Sequence, residues 1–176
     1  MSVPSIAAGT SIGHVHLKVA DLERSIHFYH ELMGFDVTAR YGKQAAFLSA
    51  GGYHHIGLNT WESLNGQPPL RDTTGLYHFA ILYPTRRDLA AALKRLLDGG
   101  WSIDGTSEHI TQEAIYRHDP DFNCIELAWD RPESEWPRKD GQLSFAGRKP
   151  LAFENLWAEL DVPDSEGHLQ ILSNYK

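Results

Sequence analysis

The chain carries one short pattern twice, and that repeat limits its fold more than any other feature. The segment Ile12-Gly13-His14-Val15-His16-Leu17-Lys18-Val19 is followed 64 positions later by Leu76-Tyr77-His78-Phe79-Ala80-Ile81-Leu82-Tyr83. The shift lays His78 on His14, Phe79 on Val15 and Ile81 on Leu17. Both copies alternate like half-buried strands, and both run into a segment of helical periodicity. A chain built this way is expected to fold as two copies of one supersecondary unit.

In the first copy, Val15, Leu17 and Val19 share one strand face, while His14, His16 and Lys18 share the other. Asp21 is a plausible N-cap, Leu22, Ile26, Tyr29 and Met33 form a helical stripe, and Gly34 is a natural stop. Strands are predicted at 35–41, 44–50 and 53–61, with Gly51-Gly52 as a hairpin turn. In the second copy, Thr85 and Asp88 resemble a capping box, and Leu89, Leu93, Leu96 and Leu97 line a helix ending at Gly99-Gly100. Strands are expected at 101–104, 112–118 and 123–129, leaving His109 in a loop, and a short helix at 153–160. The fold class is therefore α+β, with two tandem βαβββ modules. Residues 1–10 read as a tail, 11–62 as the first module, 63–74 as a linker, 75–130 as the second module and 131–176 as an extension. In each first strand the apolar face suits packing beneath the helix. The histidine face should then point into the concavity formed where the sheets meet.

Composition excludes some partners. A net charge of −7 with no basic stripe argues against nucleic acid or an anionic membrane surface. No apolar run approaches bilayer-spanning length, and residues 1–10 lack the apolar core of a signal peptide. Cys124 is the only cysteine, so no disulfide can form within the chain, as suits a reducing cytoplasm. A soluble cytoplasmic protein is expected.

Three stretches carry a resemblance. GHVHLKVADLERSIHFYHELMGF resembles the opening of the vicinal oxygen chelate superfamily, which includes glyoxalase I, fosfomycin-resistance proteins and extradiol dioxygenases. AIYRHDPDFNCIEL resembles its closing Asp-Pro-Asp/Glu-Gly-Asn-x-x-Glu segment, with Phe122 where glycine is usual. DRPESEWPR resembles the segment after that one in catechol 2,3-dioxygenase-like members. The resemblance covers residues 11–130 and implies a curved mixed sheet around a central metal-binding cavity.

It also implies metal ligands: His14, His78 and Glu126, with His16 sharing the parity of His14 and so its rival as first ligand. Two neutral imidazoles and one carboxylate form a facial triad that leaves positions for substrate and dioxygen at Fe(II), and Mn(II) accepts the same donors. Glyoxalase I-type sites use four protein ligands. Laying His55-Ile56-Gly57-Leu58 on Cys124-Ile125-Glu126-Leu127 puts the fourth position on Gly57, which offers no donor.

Extradiol chemistry needs more polar groups. The resemblance assigns an acid/base role to His54, and catecholate-holding roles to His109 and Tyr116. A histidine suits proton transfer because its ordinary pKa lies near neutrality. Simple alternation sets His54 opposite Gly57 and His55, so either the strand begins with a bulge or His55 takes the role. The expected partners are a small aromatic diol and O2, in a homodimer. Two other readings share the fold: a metal-dependent thiol transferase of the fosfomycin-resistance type or a glyoxalase-like lyase, and a small-molecule binder without chemistry.

Overall fold

The computed structural model describes residues 5–70, 72–144, 147 and 149–161. Parts of the expected tail and extension, residues 1–4 and 162–176, lie outside these. By its contacts the chain divides into two compact units, Met1–Phe79 with His118–Cys124, and Ala80–Arg117 with Ile125–Lys176.

The first repeat runs β1 (Val15–Lys18), α1 (Leu22–Ile26), β2 (Asp36–Tyr41), β3 (Ala45–Ser49) and β4 (Ile56–Asn59). Its four strands lie in the order β1-β4-β3-β2, with β1 and β4 parallel and the others antiparallel. The parallel pair follows from the helical crossover between β1 and the later strands. Alternation works as predicted: Leu17, Val19, Leu48, Ile56 and Leu58 are all buried, with Leu22 and Ile26 of α1.

Asp21 caps α1, its carboxylate accepting the Arg24 N–H at 3.0 Å. The helix does not continue regularly to Gly34. Over His27–Leu32 it widens, and the Met33 N–H donates five residues back to the Phe28 carbonyl. Gly34 then ends it at φ +85°.

The second repeat runs β5 (Phe79–Leu82), α2 (Arg86–Asp98), β6 (Gly105–His109), β7 (Gln112–His118) and β8 (Cys124–Asp130). Its sheet order, β5-β8-β7-β6, is the same permutation as the first. The capping box forms: Thr85 Oγ1 accepts the Asp88 N–H, and the Asp88 carboxylate accepts the Thr85 N–H. Leu89, Leu93 and Leu96 are fully buried with Ile115, Ile125 and Leu127, whereas Leu97 is 41% exposed. Ala90 and Ala92 complete the buried face instead.

The expected strand at 101–104 lies instead at Gly105–His109, because residues paired with β7 begin only at Gly105↔Tyr116. His109 is therefore the last rung of a ladder, opposite Gln112, and not a loop residue. The polar stretch after β8 makes a two-residue hairpin, β9 (Arg138–Lys139) with β10 (Gln142–Leu143). The predicted last helix is α3 (Phe153–Asp161). It packs on α2, with Leu156 fully buried and Arg87 Nη1 donating to the Glu159 carbonyl.

The segment Asp119-Pro120-Asp121-Phe122-Asn123 lies in the second repeat by sequence but belongs to the first unit in space. Asp121 accepts the Ala20 N–H at 3.0 Å, Arg24 Nη2 at 2.6 Å and Ser25 Oγ at 3.2 Å. Asp119 accepts the Tyr29 hydroxyl at 2.8 Å and gathers the Asp121 and Asn123 N–H groups. Phe122 turns the loop at φ +66°. None of the described helices is long and apolar enough to cross a membrane.

Candidate functional site

Among the described residues, no group of three or more His, Cys, Asp or Glu side chains forms a cluster that could hold a metal ion. The sequence-predicted residues fall into two arrangements, one within each unit.

In the first unit His14 stands just before β1, and its ring lies 4.5 Å from that of His54. Tyr53 and Phe47 flank His54 at 4.2 and 5.2 Å. β4 starts only at Ile56, so strand alternation does not bind residue 54, and His54 reaches the face of His14 and Phe47 without a bulge. His55 is committed elsewhere. Its N–H and carbonyl are both in backbone bonds, and its Nδ1 accepts the Ala50 N–H at 3.2 Å. Burial, then the neighbouring His14 and His55, hold His54 below the ordinary imidazole value. His78 immediately precedes β5, half-buried, with the Tyr77 ring at 5.4 Å.

His16 pairs with Gly57 across β1 and β4, and its ring lies over that glycine. A Cβ at position 57 would come within 2.9 Å of the ring. Phe47 and Trp61 stand beside it at 5.8 and 5.6 Å. Burial first, then His14 and His54, lower its pKa. The position that lacks a fourth carboxylate is thus filled by an imidazole from the adjacent strand.

In the second unit Glu126 lies on β8, 5% exposed, on the strand face opposite Ile125 and Leu127. Its Oε1 accepts two hydrogen bonds from β7, from Tyr116 Oη and Gln112 Nε2, both 2.8 Å. Gln112, Ala114 and Tyr116 share one face of β7, while Glu113 turns the other way to Arg86 of α2. His109 Nε2 lies 3.3 Å from Tyr116 Oη. Because the single phenolic proton goes to Glu126, this contact requires His109 to donate from Nε2. Asp130, at the far end of β8, is raised by burial and then by the Glu126 charge.

The structure thus joins His14 with His54, and joins Glu126, Tyr116 and His109. Gln112 was not found from sequence. Its only signal was sharing the alternation of Tyr116, and a glutamine there matches no motif by itself.

Two imidazoles and a carboxylate suit a divalent first-row metal. Glu126, buried and carrying two neutral or weakly acidic donors on one oxygen, has the supported carboxylate such a metal needs. The residues fit.

A βαβββ unit present twice, with the same strand permutation in both sheets, defines a class of α+β proteins. The chain belongs to the Glyoxalase/Bleomycin resistance protein/Dioxygenase superfamily, whose family profile matches residues 11–127. It is 42% identical over 134 residues to a catechol-2,3-dioxygenase of Bacillus subtilis (strain 168), a match covering 76% of this chain and 46% of that protein. The chain therefore spans about half the length of this relative. It is 30% identical to the glutathione transferase FosA of Serratia marcescens, over 66% of this chain and 79% of the relative. Among solved structures, a glyoxylase/bleomycin resistance protein/dioxygenase domain from Frankia sp. EAN1pec aligns with TM-score 0.58 at 24% identity. That match covers 69% of this chain and 98% of that one, and it speaks for the fold.

Proposed function

We propose that the protein is a metal-dependent extradiol dioxygenase of the catechol 2,3-dioxygenase type, cleaving a small aromatic diol with O2. The observation that carries this reading is the chain His109–Tyr116–Glu126, which links both residues suited to holding a catecholate to the candidate carboxylate ligand. The 42% identity to a catechol-2,3-dioxygenase supports it. His14, His78 and Glu126 would hold Fe(II), or alternatively Mn(II). Bound there, the ion would supply the Lewis acidity that lowers the pKa of a diol and the redox chemistry that O2 activation needs.

The chain's own residues supply the rest. His54, kept below the ordinary imidazole value, is neutral near pH 7 and can accept a phenolic proton at a ring nitrogen. It returns that proton as the ring opens. In the free protein the Tyr116 O–H is given to Glu126 and the His109 N–H to Tyr116. On this reading both donors turn to the diol oxygens when the ring binds, and so orient it. Phe47, Tyr53 and Trp61 offer aromatic surface for a planar substrate. The ring opens beside one hydroxylated carbon, and both oxygen atoms of O2 enter a 2-hydroxymuconate semialdehyde-type product. A homodimer in the cytoplasm is part of the same reading.

The test is oxygen uptake with catechol on Fe(II)-loaded protein, with formation of a yellow product. Uptake of one O2 per ring cleaved is expected. Metal-loaded protein that leaves a panel of catechols unchanged in air would overturn the assignment. His54→Ala should retain metal but lower kcat about 10²–10⁴-fold.

A second reading, thiol transfer, is favoured by the similarity to glutathione transferase FosA. Thiol addition would persist under anaerobic conditions, whereas ring cleavage would stop.

A further inference from the structure

We propose that Gln112 is a positioning residue, whose side-chain amide fixes the orientation of the Glu126 carboxylate for metal binding. This rests on the reading of Glu126 as a ligand. Glu126 is nearly buried on a strand whose neighbouring residues are apolar, so little solvent is available to orient its charge. A glutamate side chain has three rotatable bonds, and a ligand that must search among rotamers binds metal weakly.

Two donors from β7 land on the same oxygen, Oε1, each at 2.8 Å. They differ in kind. Tyr116 also faces His109, so its hydroxyl serves two neighbours and belongs to the proposed substrate-holding set. Gln112 serves the carboxylate through an N–H that does not ionise. Its amide orientation is dictated by the contact, because a carboxylate accepts and only Nε2 can donate. Its backbone is fixed too. Gln112 opens β7 as the rung opposite His109, directly after the turn at Ile110 and Thr111. Gln112 and Tyr116, four positions apart on one strand face, therefore brace a single oxygen from one rigid element.

The experiment is a Mn(II) titration of the full-length, metal-free protein, followed by electron paramagnetic resonance of the bound ion. Gln112→Met keeps the length of the side chain and removes the donor; Gln112→Ser removes its reach and relieves any crowding that methionine introduces. Either variant should bind Mn(II) about 10–100-fold more weakly than wild type, with an altered spectrum of bound Mn(II) and an apo melting temperature close to wild type. A packing role alone would shift the melting temperature and leave the spectrum as it was. Glu126→Ala should abolish binding. If Glu126→Ala loses Mn(II) while a folded Gln112 variant keeps wild-type affinity and spectrum, the positioning role is overturned and the ligand assignment stands. If Glu126→Ala binds Mn(II) like wild type, the ligand assignment itself fails.

Discussion

At the scale of single residues, backbone conformation explains a departure that the sequence shows but does not interpret. Phe122 stands where the closing motif that this segment resembles has glycine, and its φ of +66° lies in the left-handed region. A bulky residue held there costs about 1–2 kcal/mol. Its ring is 63% exposed, so packing offsets little of that cost. Phe122→Gly should therefore be more stable than Phe122→Ala by about 1 kcal/mol, measured by chemical denaturation. Equal stability would mean that the loop relaxes once the ring is gone. Gly57 is constrained by space: it has ordinary backbone angles, but the His16 ring occupies the place of its missing side chain. His14, His54, Tyr116 and Glu126 stand out as candidates in the sequence because fixed offsets from a recognisable motif mark them. Gln112 does not, because hydrogen bonding between strands leaves no trace in the order of residues along one strand.

Among elements, two buried polar arrangements invite measurement. Burial holds the Asp119 carboxyl above its ordinary range, against bonds from Asn123 and Tyr29 that pull it down. A raised value means that the folded state favours the protonated form. The associated stability is full below the unfolded value near pH 4 and is lost as pH rises through the folded value. Asp119→Asn cannot titrate, so the wild-type advantage over it should be greatest at and below pH 4 and shrink toward neutrality. Melting temperatures of the two proteins across pH would show it, and a gap that widens with pH would contradict it.

The second arrangement is the Glu113 carboxylate, 2% exposed, which accepts from Arg86 Nε at 2.8 Å and Arg131 Nη2 at 3.0 Å. Arg86 also reaches Glu159 and the Asn155 carbonyl, joining α3 to α2. Arg86→Ala should cost about 1–3 kcal/mol, since it leaves the buried Glu113 carboxylate with Arg131 alone as its cationic partner. Adding Glu113→Gln should recover part of that loss in a double-mutant cycle. Element types were legible because periodicity and caps are local. The displaced strand at 105–109 and the widened end of the first helix were not, since pairing with β7 and an i→i+5 bond are set by partners distant from the local pattern.

For the whole molecule, the repeat predicted the architecture well: both sheets have the same strand permutation, each with its last strand beside its first. The repeat did not reveal how the chain is shared between units, because residues 118–124 serve the first unit from within the second copy. Residues 1–74 expressed alone should then lack cooperative unfolding, since Tyr29, Ser25, Arg24 and the Ala20 N–H lose their acceptors on Asp119 and Asp121. Circular dichroism with urea titration would decide, and a sigmoidal transition would refute the expectation.

That borrowed loop has an evolutionary corollary. The two copies follow one another in the chain, yet the earlier one depends on seven residues encoded far downstream. Recombination that split the gene at the seam between copies would deliver a front half missing its own keystone, so the pair must travel as one heritable piece.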